Sequence, residues 1–356
     1  MFLAWQEIKH SKFRYIMVIA LMFLIAYLVY FLTGLAYGLA QSNRTAIDKW
    51  EADQIILAKD VNASLRQSMI KQEDFDKLEV DGEKAGLSQQ SAVIQSKNFE
   101  EKVDVNYLGI DFDSFIAPNI VEGKQVANKN EVITDISLKE EEGLALGDTI
   151  TMTGNDVTLK VVGFTDNAQL SVLPVVYMDR DTFRSVMAMP LQDKVPTPLS
   201  GIAIRGKVTD YDKDRLELLD IDNFIEALPG YSAQNMTFLF MIIFLMVIAA
   251  VVIGIFMYIL TMQKTQIFGV MKAEGISSGF ISKSVIWQTA ILALIGIGLG
   301  ALATYGTSLV LPAAVPFMIN HQFMLIASGL MFMVALIGAL FSVGTIAKID
   351  PLDAIG

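Results

Sequence analysis

Few side chains in this sequence could support catalysis or hold a metal ion. The chain has no cysteine, which excludes a thiol nucleophile, a thiolate metal site and a disulfide. Its two histidines, His10 and His321, are far apart in sequence, which argues against a zinc or catalytic cluster within one chain. The acids Glu140, Glu141 and Glu142 lack the spacing and the glycine of a calcium loop, so we interpret them as a solvated face. We therefore predict no metal site, no intrinsic cofactor and no catalytic residue.

Glycine patterns also fail to indicate a nucleotide site. Gly296, Gly298 and Gly300 have the spacing of a dinucleotide-binding loop, but no predicted strand precedes them and the surrounding stretch is apolar. Close packing of helices through small residues explains the pattern better. The motif GxxxxGK[ST] is missing from the sequence, so the chain should not hydrolyse ATP by a P-loop of its own. We predict that the chain is not an enzyme.

Composition and charge indicate a membrane protein. Of the 356 residues, 53% are hydrophobic, and the mean hydropathy of +0.48 exceeds that of typical soluble proteins. Residues 41–233 contain 20 Lys and Arg against 34 Asp and Glu, whereas the rest of the chain contains 7 against 4. Those seven cations flank apolar stretches, and the positive-inside rule assigns such flanks to the cytoplasm. The acidic segment should then lie outside the cell membrane.

Four stretches without charged residues are long enough to cross about 30 Å of hydrocarbon as helices. They predict an α-helical membrane protein with four transmembrane helices plus a mixed α+β extracytoplasmic domain between the first and second helices. The first stretch is too long for a cleaved signal peptide. The predicted segments are an N-terminal cytoplasmic amphipathic helix (1–14), the first span (15–40), the extracytoplasmic domain (41–233), the second span (234–262), a cytoplasmic coupling loop (263–284), the third span (285–311), an external loop (312–321), the fourth span (322–346) and a cytoplasmic C-terminus (347–356).

Within the predicted domain, the clearest patterns lie in its second half. Two alternating runs, at 148–153 and 157–164, are separated by a Gly-Asn-Asp turn and predict a β-hairpin. Further apolar runs predict strands at 173–178 and 200–205. A helix is predicted at 179–189, starting near Asp179 or Asp181. Before all of these, residues 44–57 could extend the first helix above the membrane.

Two features of the apolar part stand out. Tyr27, Tyr30 and Tyr37 share one helix face, and Gly34 and Gly38 form a small-xxx-small pair that allows close helix approach.

The loop at 263–284 has apolar residues at roughly helical spacing, at Phe268, Met271 and Ile276, and is net basic. It predicts a short amphipathic helix. Periodicity alone favours an ordinary basic loop and a partner-docking helix about equally.

The order of these segments, together with three motifs, resembles one family of transporters. A span, a large external domain and three further spans with a basic loop between the second and third resemble the FtsX-like, macrolide-exporter type of ABC transporter permease. The motifs are IFGVMKAEGISSGFI in the loop, IDPLDAIG at the end and LGDTITMTGNDVTLKVVGF in the domain. Within the family, the start MFLAWQEIKHSKFRYIMV, the compact domain and the length are most similar to the haem-exporting permeases of Gram-positive bacteria.

The resemblance implies a homodimer of permeases in the cell membrane, with two copies of a separate ATPase subunit. Lipid is the other implied partner, and no nucleic acid is expected. Closure of the ATPases would move the coupling segment and the long first and second helices by mechanotransmission, and the first and second helices should form the dimer interface. Glu274 departs from the apolar residue that the family often has. The coupling motif falls on Phe268, Gly269, Met271, Lys272, Ala273, Glu274 and Gly275.

Haem export is the function that the closer resemblance implies. Haem iron accepts Tyr, Met or His donors, and the flat ring suits aromatic surroundings near the outer interface. Tyr231 and Tyr37 are the first candidates, because the family's lateral groove would bring these two helix ends together. Each candidate residue could instead be an interfacial anchor or packing residue. The full set is Tyr231, Tyr37, Tyr27, Tyr30, Met236 and Met241, with Arg44 for a propionate.

A second function is also compatible with the family resemblance. A signalling permease would transport nothing, and its external domain would regulate a cell-wall hydrolase or resistance to antimicrobial peptides. Sensitivity to haem on deletion would favour export, whereas altered cell separation would favour signalling.

Overall fold

The computed structural model describes residues 12–154, 157–187, 197–312 and 315–347. Most of the amphipathic helix predicted at 1–14 and of the C-terminal segment predicted at 347–356 lies outside these ranges. In chain order, the elements are α1 (Lys12–Asp48), β1 (Gln54–Ala58), α2 (Gln72–Lys77), β2 (Glu79–Gln95), β3 (Val103–Ile110), β4 (Glu122–Gly123), β5 (Glu131–Asp135), α3 (Ser137–Glu142), β6 (Thr149–Met152), β7 (Thr158–Thr165), β8 (Gln169–Leu170), β9 (Leu173–Asp179), α4 (Arg180–Val186), β10 (Gly201–Asp210), β11 (Leu216–Asp220), α5 (Ile221–Glu226), α6 (Tyr231–Met262), α7 (Thr265–Ala273), α8 (Ser278–Ser308) and α9 (His321–Ala347).

Four of these helices, α1, α6, α8 and α9, are long and apolar enough to cross a membrane. They correspond to the four spans that the uncharged stretches predict. Helix α1 has 37 residues, which at 1.5 Å per residue gives a length of about 55 Å. It therefore exceeds the thickness of a hydrocarbon layer by several turns.

All strands lie between α1 and α6 in chain order, and they form one mixed sheet. Among the described residues it has 11 strands in the order β11-β1-β10-β2-β3-β9-β5-β7-β4, with β6 beside β2 and β7, and β8 beside β9. The pairs β3–β9 and β5–β7 are parallel. Apolar side chains from its strands and helices form three buried clusters, one of which includes Trp50 at the end of α1.

Several predicted elements of the domain are present. The predicted hairpin is the antiparallel pair β6–β7, in which Ile150 faces Leu159. The predicted strands at 173–178 and 200–205 are β9 and part of β10. Helix α4 follows β9 directly, and the Asp179 side chain caps it by accepting hydrogen bonds from the backbone N–H groups of Asp181 and Thr182.

Other parts of the domain differ from the sequence pattern. The proposed extension of the first helix through residues 44–57 ends at Asp48, and the chain enters strand β1 at Gln54. The 17-residue strand β2 had no sequence signal. It pairs first with β10 and then with β3. Gly82 and Gly206 face each other across the β2–β10 pair with φ angles of +139° and +114°, and a Cβ on either would collide with the backbone of the partner strand.

The glycines of α8 provide close helix packing, as predicted. A Cβ on Gly300 would lie 2.7 Å from Ala26 Cβ and 3.0 Å from the backbone nitrogen of Tyr27 on α1. A Cβ on Gly296 would collide with Met22. Gly298, by contrast, faces open space. The small residues thus matter on the side of α8 that contacts α1.

The chain divides into two compact units. The helical unit comprises Met1–Gly38, Met236–Leu311 and Phe317–Gly356, and the sheet unit comprises Leu39–Asn235 and Pro312–Pro316. Helix α1 contributes residues to both.

Candidate functional site

The predicted coupling segment contains helix α7, and a defined pattern of backbone hydrogen bonds ends this helix. The N–H of Ile276 donates to the Met271 carbonyl and the N–H of Gly275 to the Lys272 carbonyl, both at 3.0 Å. This is the bonding pattern of a Schellman motif, in which the residue after the C-cap takes a left-handed conformation. Gly275 has φ +90°, so glycine suits this position. Ser277 then caps α8 by accepting a hydrogen bond from the N–H of Phe280.

The apolar face of α7 packs against its own helical unit. Phe268 is 3% exposed and belongs to the buried cluster of this unit, while Met271 and Ile276 pack against that cluster. Phe268 and the adjacent Gly269 are thus buried within the chain, and their contact with an ATPase stays a prediction. Their periodicity indicated an amphipathic helix correctly, but the partner of the apolar face is the bundle itself.

The outward face of α7 presents a different set of residues. Ile267 is 56% exposed and Val270 46% exposed. Ala273, Glu274 and Gly275 are also exposed, and Lys272 is half-buried. This outward face, rather than Phe268, is available to another protein.

Lys264, in the turn before α7, is buried in a polar network that the sequence did not predict. Its Nζ donates to Tyr15 Oη at 2.6 Å and to Gln288 Oε1 at 3.3 Å. Tyr15 Oη donates to the same Gln288 oxygen at 3.3 Å. All three residues are at most 8% exposed. The network connects the start of α7 with α1 and α8.

The three tyrosines predicted on one face of α1 have separate partners within the helical unit. Tyr27 hydrogen-bonds Thr307 on α8 at 3.0 Å. Tyr30 is buried and hydrogen-bonds Ser328 on α9 at 2.5 Å. The Tyr37 ring contacts Phe323, with 6.2 Å between the ring centroids. Tyr27 and Tyr30 thus join helices of one chain, which makes them poor candidates for an iron ligand.

Gly34 also serves packing within the chain. A Cβ there would collide with the ring of Phe317, which stacks on Phe31 at 5.5 Å between ring centroids. The close approach that the small residue allows at Gly34 is therefore filled by Phe317 of the same chain, and a dimer interface through the first and second helices stays a prediction.

Arg44 and Tyr231, two candidates for the ligand site, are brought together in the sheet unit. The Arg44 guanidinium binds the Asp48 carboxylate through Nε, at 3.0 and 2.9 Å, and through Nη2, at 2.7 Å. Tyr231 lies close enough to the Arg44 guanidinium to interact with it. The Tyr231 side chain is 8% exposed within an apolar cluster. A propionate would therefore compete with Asp48 for Arg44.

The methionine candidates are exposed on α6, with Met236 at 60% and Met241 at 38% exposure. Another possible donor pair was missed by sequence reasoning, since its members are 16 positions apart on different helices: Tyr305 Oη lies 2.5 Å from His321 Nε2. Tyr37 belongs to the helical unit and Tyr231 to the sheet unit, so the meeting of these two helix ends stays a prediction.

The C-terminal end of α1 is anchored in the sheet unit by Lys49, the residue that follows it. Its Nζ donates to Thr165 Oγ1 at 2.8 Å, to Asp166 Oδ1 at 2.9 Å and to Asn119 Oδ1. The hydrogen bond from Lys49 lowers the pKa of the Asp166 carboxyl below its usual value. Trp50, one residue further on, is 1% exposed. The last turn of α1 and the residues after it are thus part of the domain core.

Comparison with known proteins identifies relatives along the whole chain. Residues 239–351 match the family model described as FtsX-like permease C-terminal. A protein named hemin transport system permease protein HrtB, from two strains of Staphylococcus epidermidis, is 29% identical in an alignment of 364 positions that covers 99% of each chain. The protein of the same name from Staphylococcus haemolyticus is 27% identical in an alignment of 358 positions, which again covers 99% of each chain.

Two solved structures are similar to parts of the chain. The extracellular domain of the ABC-type transporter YknZ has 13% identity and a TM-score of 0.31, over 46% of this chain and 84% of that one. A domain of a permease from Porphyromonas gingivalis has 8% identity and a TM-score of 0.33, over 48% of this chain and 91% of that one. Both scores are too low to establish a shared fold.

The family match includes most of α6, all of α7 and α8, and α9, and the sequence relatives extend the similarity to the remaining helix and the sheet unit. The chain therefore contains a segment, residues 239–351, that matches the FtsX-like permease C-terminal model, and it is similar over 99% of its length to the HrtB permease proteins.

Proposed function

We propose that the chain is the membrane subunit of an ABC transporter that exports haem, or a similar amphipathic toxic compound, and so confers tolerance to it. The observation that carries this proposal is the similarity over 99% of the chain to proteins named for hemin transport. ATP hydrolysis would take place on a separate subunit, and the permease would transmit the resulting movement to the substrate site. The protein would be a multi-pass protein of the cell membrane with cytoplasmic termini and an extracellular domain.

Tyr231 is the preferred haem ligand. It is the first residue of α6, and a phenol oxygen at a helix end near the outer interface suits haem iron. Its contact with Arg44 places a cation close to the donor oxygen, where a propionate could also bind. Because Tyr231 is 8% exposed, haem binding should require this helix end to open.

Titration of the purified complex with haem tests the ligand site. Tyr231→Phe keeps the ring and its packing but removes the oxygen, so the Soret shift of bound haem should change and tolerance of cells to haem should fall. Tyr258→Phe is the matched control, because Tyr258 lies on the same helix and is 48% exposed. An unchanged Soret spectrum and unchanged tolerance in a Tyr231→Phe/Tyr37→Phe double variant would exclude both tyrosines. If deletion of the gene alters cell separation but not haem tolerance, the signalling function is correct instead.

The coupling surface is proposed to be the outward face of α7, with Ile267 and Val270 at its centre. Two exposed apolar side chains one turn apart, beside Lys272 and Glu274, suit insertion into a groove of the ATPase. Phe268 and Gly269 would hold α7 in place from the other side.

Two neighbouring substitutions distinguish the faces of α7. Val270→Asp should abolish capture of the ATPase while the thermal stability of the permease stays the same, since Val270 is exposed. Phe268→Ala should lower the free energy of unfolding by about 3 kcal/mol, because it opens a cavity in the core. The protein that remains folded should still bind the ATPase. Normal ATPase binding by Val270→Asp would contradict the assignment.

The homodimer is proposed to form through α6. In its most apolar stretch only 11% of residues are buried, against 44% for α8. Its large exposed side chains include Phe240, Phe244 and Val251, which leaves most of its circumference for lipid and a second copy. Single cysteines at Phe244 and Val251 should cross-link two chains under oxidation. A cysteine at Ala249, which is 2% exposed within the chain, should not.

A further inference from the structure

Lys264 is buried at a position where a lysine normally reaches water. Lysines at the ends of membrane helices extend their ammonium groups to the aqueous interface, and Lys283 at the same end of the helical unit is exposed. Lys264 instead turns inward and is 8% exposed. Burial of an ammonium group costs free energy, so this orientation needs a cause.

The hydrogen bonds around Lys264 form a closed triangle with fixed roles. An ammonium group can only donate, and the amide oxygen of Gln288 can only accept. The Tyr15 hydroxyl accepts from Lys264 and donates to Gln288. Each of the three groups is thus used in the way that its chemistry allows, and none can be replaced by an apolar side chain without breaking the triangle.

The triangle fixes the relative position of three helices. Tyr15 lies on α1, Gln288 on α8, and Lys264 immediately precedes α7. Apolar neighbours, among them Phe268 and Val285, surround the group. Apolar contacts tolerate small sliding movements, whereas a slip by one helical turn, about 5.4 Å, would break all three hydrogen bonds. Apolar residues of similar volume would stabilise the bundle at least as well. The contribution of the triangle is therefore to fix the position of α7 relative to α1 and α8.

We propose that Lys264, Tyr15 and Gln288 form a joint that fixes α7 to α1, so that both move together when the ATPase moves α7. The proposal rests on the proposed function, in which a separate subunit drives α7. Lys264, Tyr15 and Gln288 are positioning residues that contact neither haem nor the ATPase. They set how completely movement of α7 reaches α1.

Lys264→Met in the assembled complex tests the joint, since methionine keeps an unbranched side chain but donates no hydrogen bond. The complex should assemble and retain basal ATP hydrolysis, while the stimulation by haem should fall by about tenfold, a size typical of lost coupling. Lys283→Met, which removes an exposed lysine nearby, should leave stimulation unchanged. Lys264→Arg should restore part of it. If Lys264→Met fails to assemble, Tyr15→Phe decides, because it changes neither charge nor ring packing.

A distance measurement makes the test independent of haem. The chain has no cysteine, so spin labels can be attached to cysteines at the exposed positions Ile16 on α1 and Gln266 on α7. The distance between them should keep one narrow distribution with and without ATP in the otherwise unchanged protein, and should broaden in Lys264→Met. A narrow distribution and full stimulation in Lys264→Met would overturn the joint. A distance that depends on Lys264, with no stimulation by haem even in the unchanged protein, would refute haem export and leave the joint supported.

Discussion

Different interactions stabilise the interior of the helical unit and the interior of the sheet unit. The four long helices have no Asp or Glu in their apolar stretches, and they pack through glycine, aromatic rings and neutral hydroxyl groups. Residues 41–233, in contrast, contain 34 of the 38 acidic residues of the chain, and several of them hold the domain together. The sheet unit should therefore respond to pH and salt, whereas the helical unit should respond mainly to changes in side-chain volume.

Lys49, just after α1, and Lys264, just before α7, show the same contrast on a small scale. Lys49 donates to the carboxylate of Asp166, and this ion pair is partly exposed to water. Lys264 donates to a phenol and an amide in buried surroundings. Where water is close, a charged partner can be kept. Inside the bundle, Tyr15 and Gln288 contribute neutral partners with fixed donor and acceptor roles.

The largest expected effect is a volume change in the helical unit. Gly300→Leu should lower the stability of the bundle by about 3 kcal/mol, because overpacking forces the helices apart and a Cβ at this position is already 2.7 Å from Ala26 Cβ. Gly298→Leu makes the same change two residues away, where nothing lies within 4 Å, and should have little effect. Thermal unfolding followed by circular dichroism measures both. Equal losses for the two variants would show that α8 and α1 do not pack this closely.

A smaller effect is expected from Lys49→Met in the sheet unit. The variant leaves Asp166 and Thr165 without their shared donor. This should lower the stability of the domain by about 2 kcal/mol, between the values for exposed and for buried ion pairs, because the pair is partly exposed. Lys59→Met removes a lysine with one exposed hydrogen bond to a backbone carbonyl and serves as the control. Denaturant unfolding followed by Trp50 fluorescence reports on the domain, provided that Trp5 and Trp287 are replaced by Phe. Identical unfolding midpoints for the two lysine variants would contradict the anchoring role of Lys49.

The sequence predicted the helical unit better than the sheet unit, for a physical reason. Apolar stretches that must cross hydrocarbon carry a strong signal, and α1, α6, α8 and α9 follow it. Strand β2 carries almost none. Its sequence EVDGEKAGLSQQSAVIQ is largely polar. Ser88 and Gln89 in this strand are buried and form hydrogen bonds that the sequence pattern does not predict.

For the candidate site, residue types were predictable but orientations were not. Periodicity identified α7, yet it could not tell whether Phe268 faces a partner or its own bundle, because both are apolar environments. Lys264 looked like one more interfacial cation, since its partners Tyr15 and Gln288 are 249 and 24 positions away. The pairing of Arg44 with Asp48 lies within one helical turn and could have been predicted from its spacing.

A further expected effect is an acid dependence confined to the sheet unit. Glu131 accepts hydrogen bonds from the backbone N–H groups of Ala127 and Asn128, at 2.9 and 3.0 Å, and from the Asn128 side chain. These bonds, the one from Ala127 above all, lower the pKa of Glu131 from 4.5 to about 2. Because the pKa in the folded state is the lower one, the stabilisation is complete above pH 4.5 and is lost as the pH falls towards 2.

Glu131→Gln should therefore destabilise the domain at neutral pH, and its difference from the unchanged protein should shrink on acidification. Between pH 4.5 and 2, the slope of the free energy of unfolding against pH should be smaller in Glu131→Gln than in the unchanged protein. The difference in slope should correspond to at most about one bound proton. The exposed Glu73, replaced by Gln in the same way, controls for the loss of one negative charge. Denaturant unfolding of the domain at a series of pH values, again followed by Trp50, gives the slope directly. The stability difference between Glu131→Gln and the unchanged protein could instead stay constant down to pH 2. That result would show that the Ala127 and Asn128 hydrogen bonds do not depend on the ionised carboxylate. Glu131 would then no longer support the contrast between an acid-sensitive sheet unit and an acid-insensitive bundle.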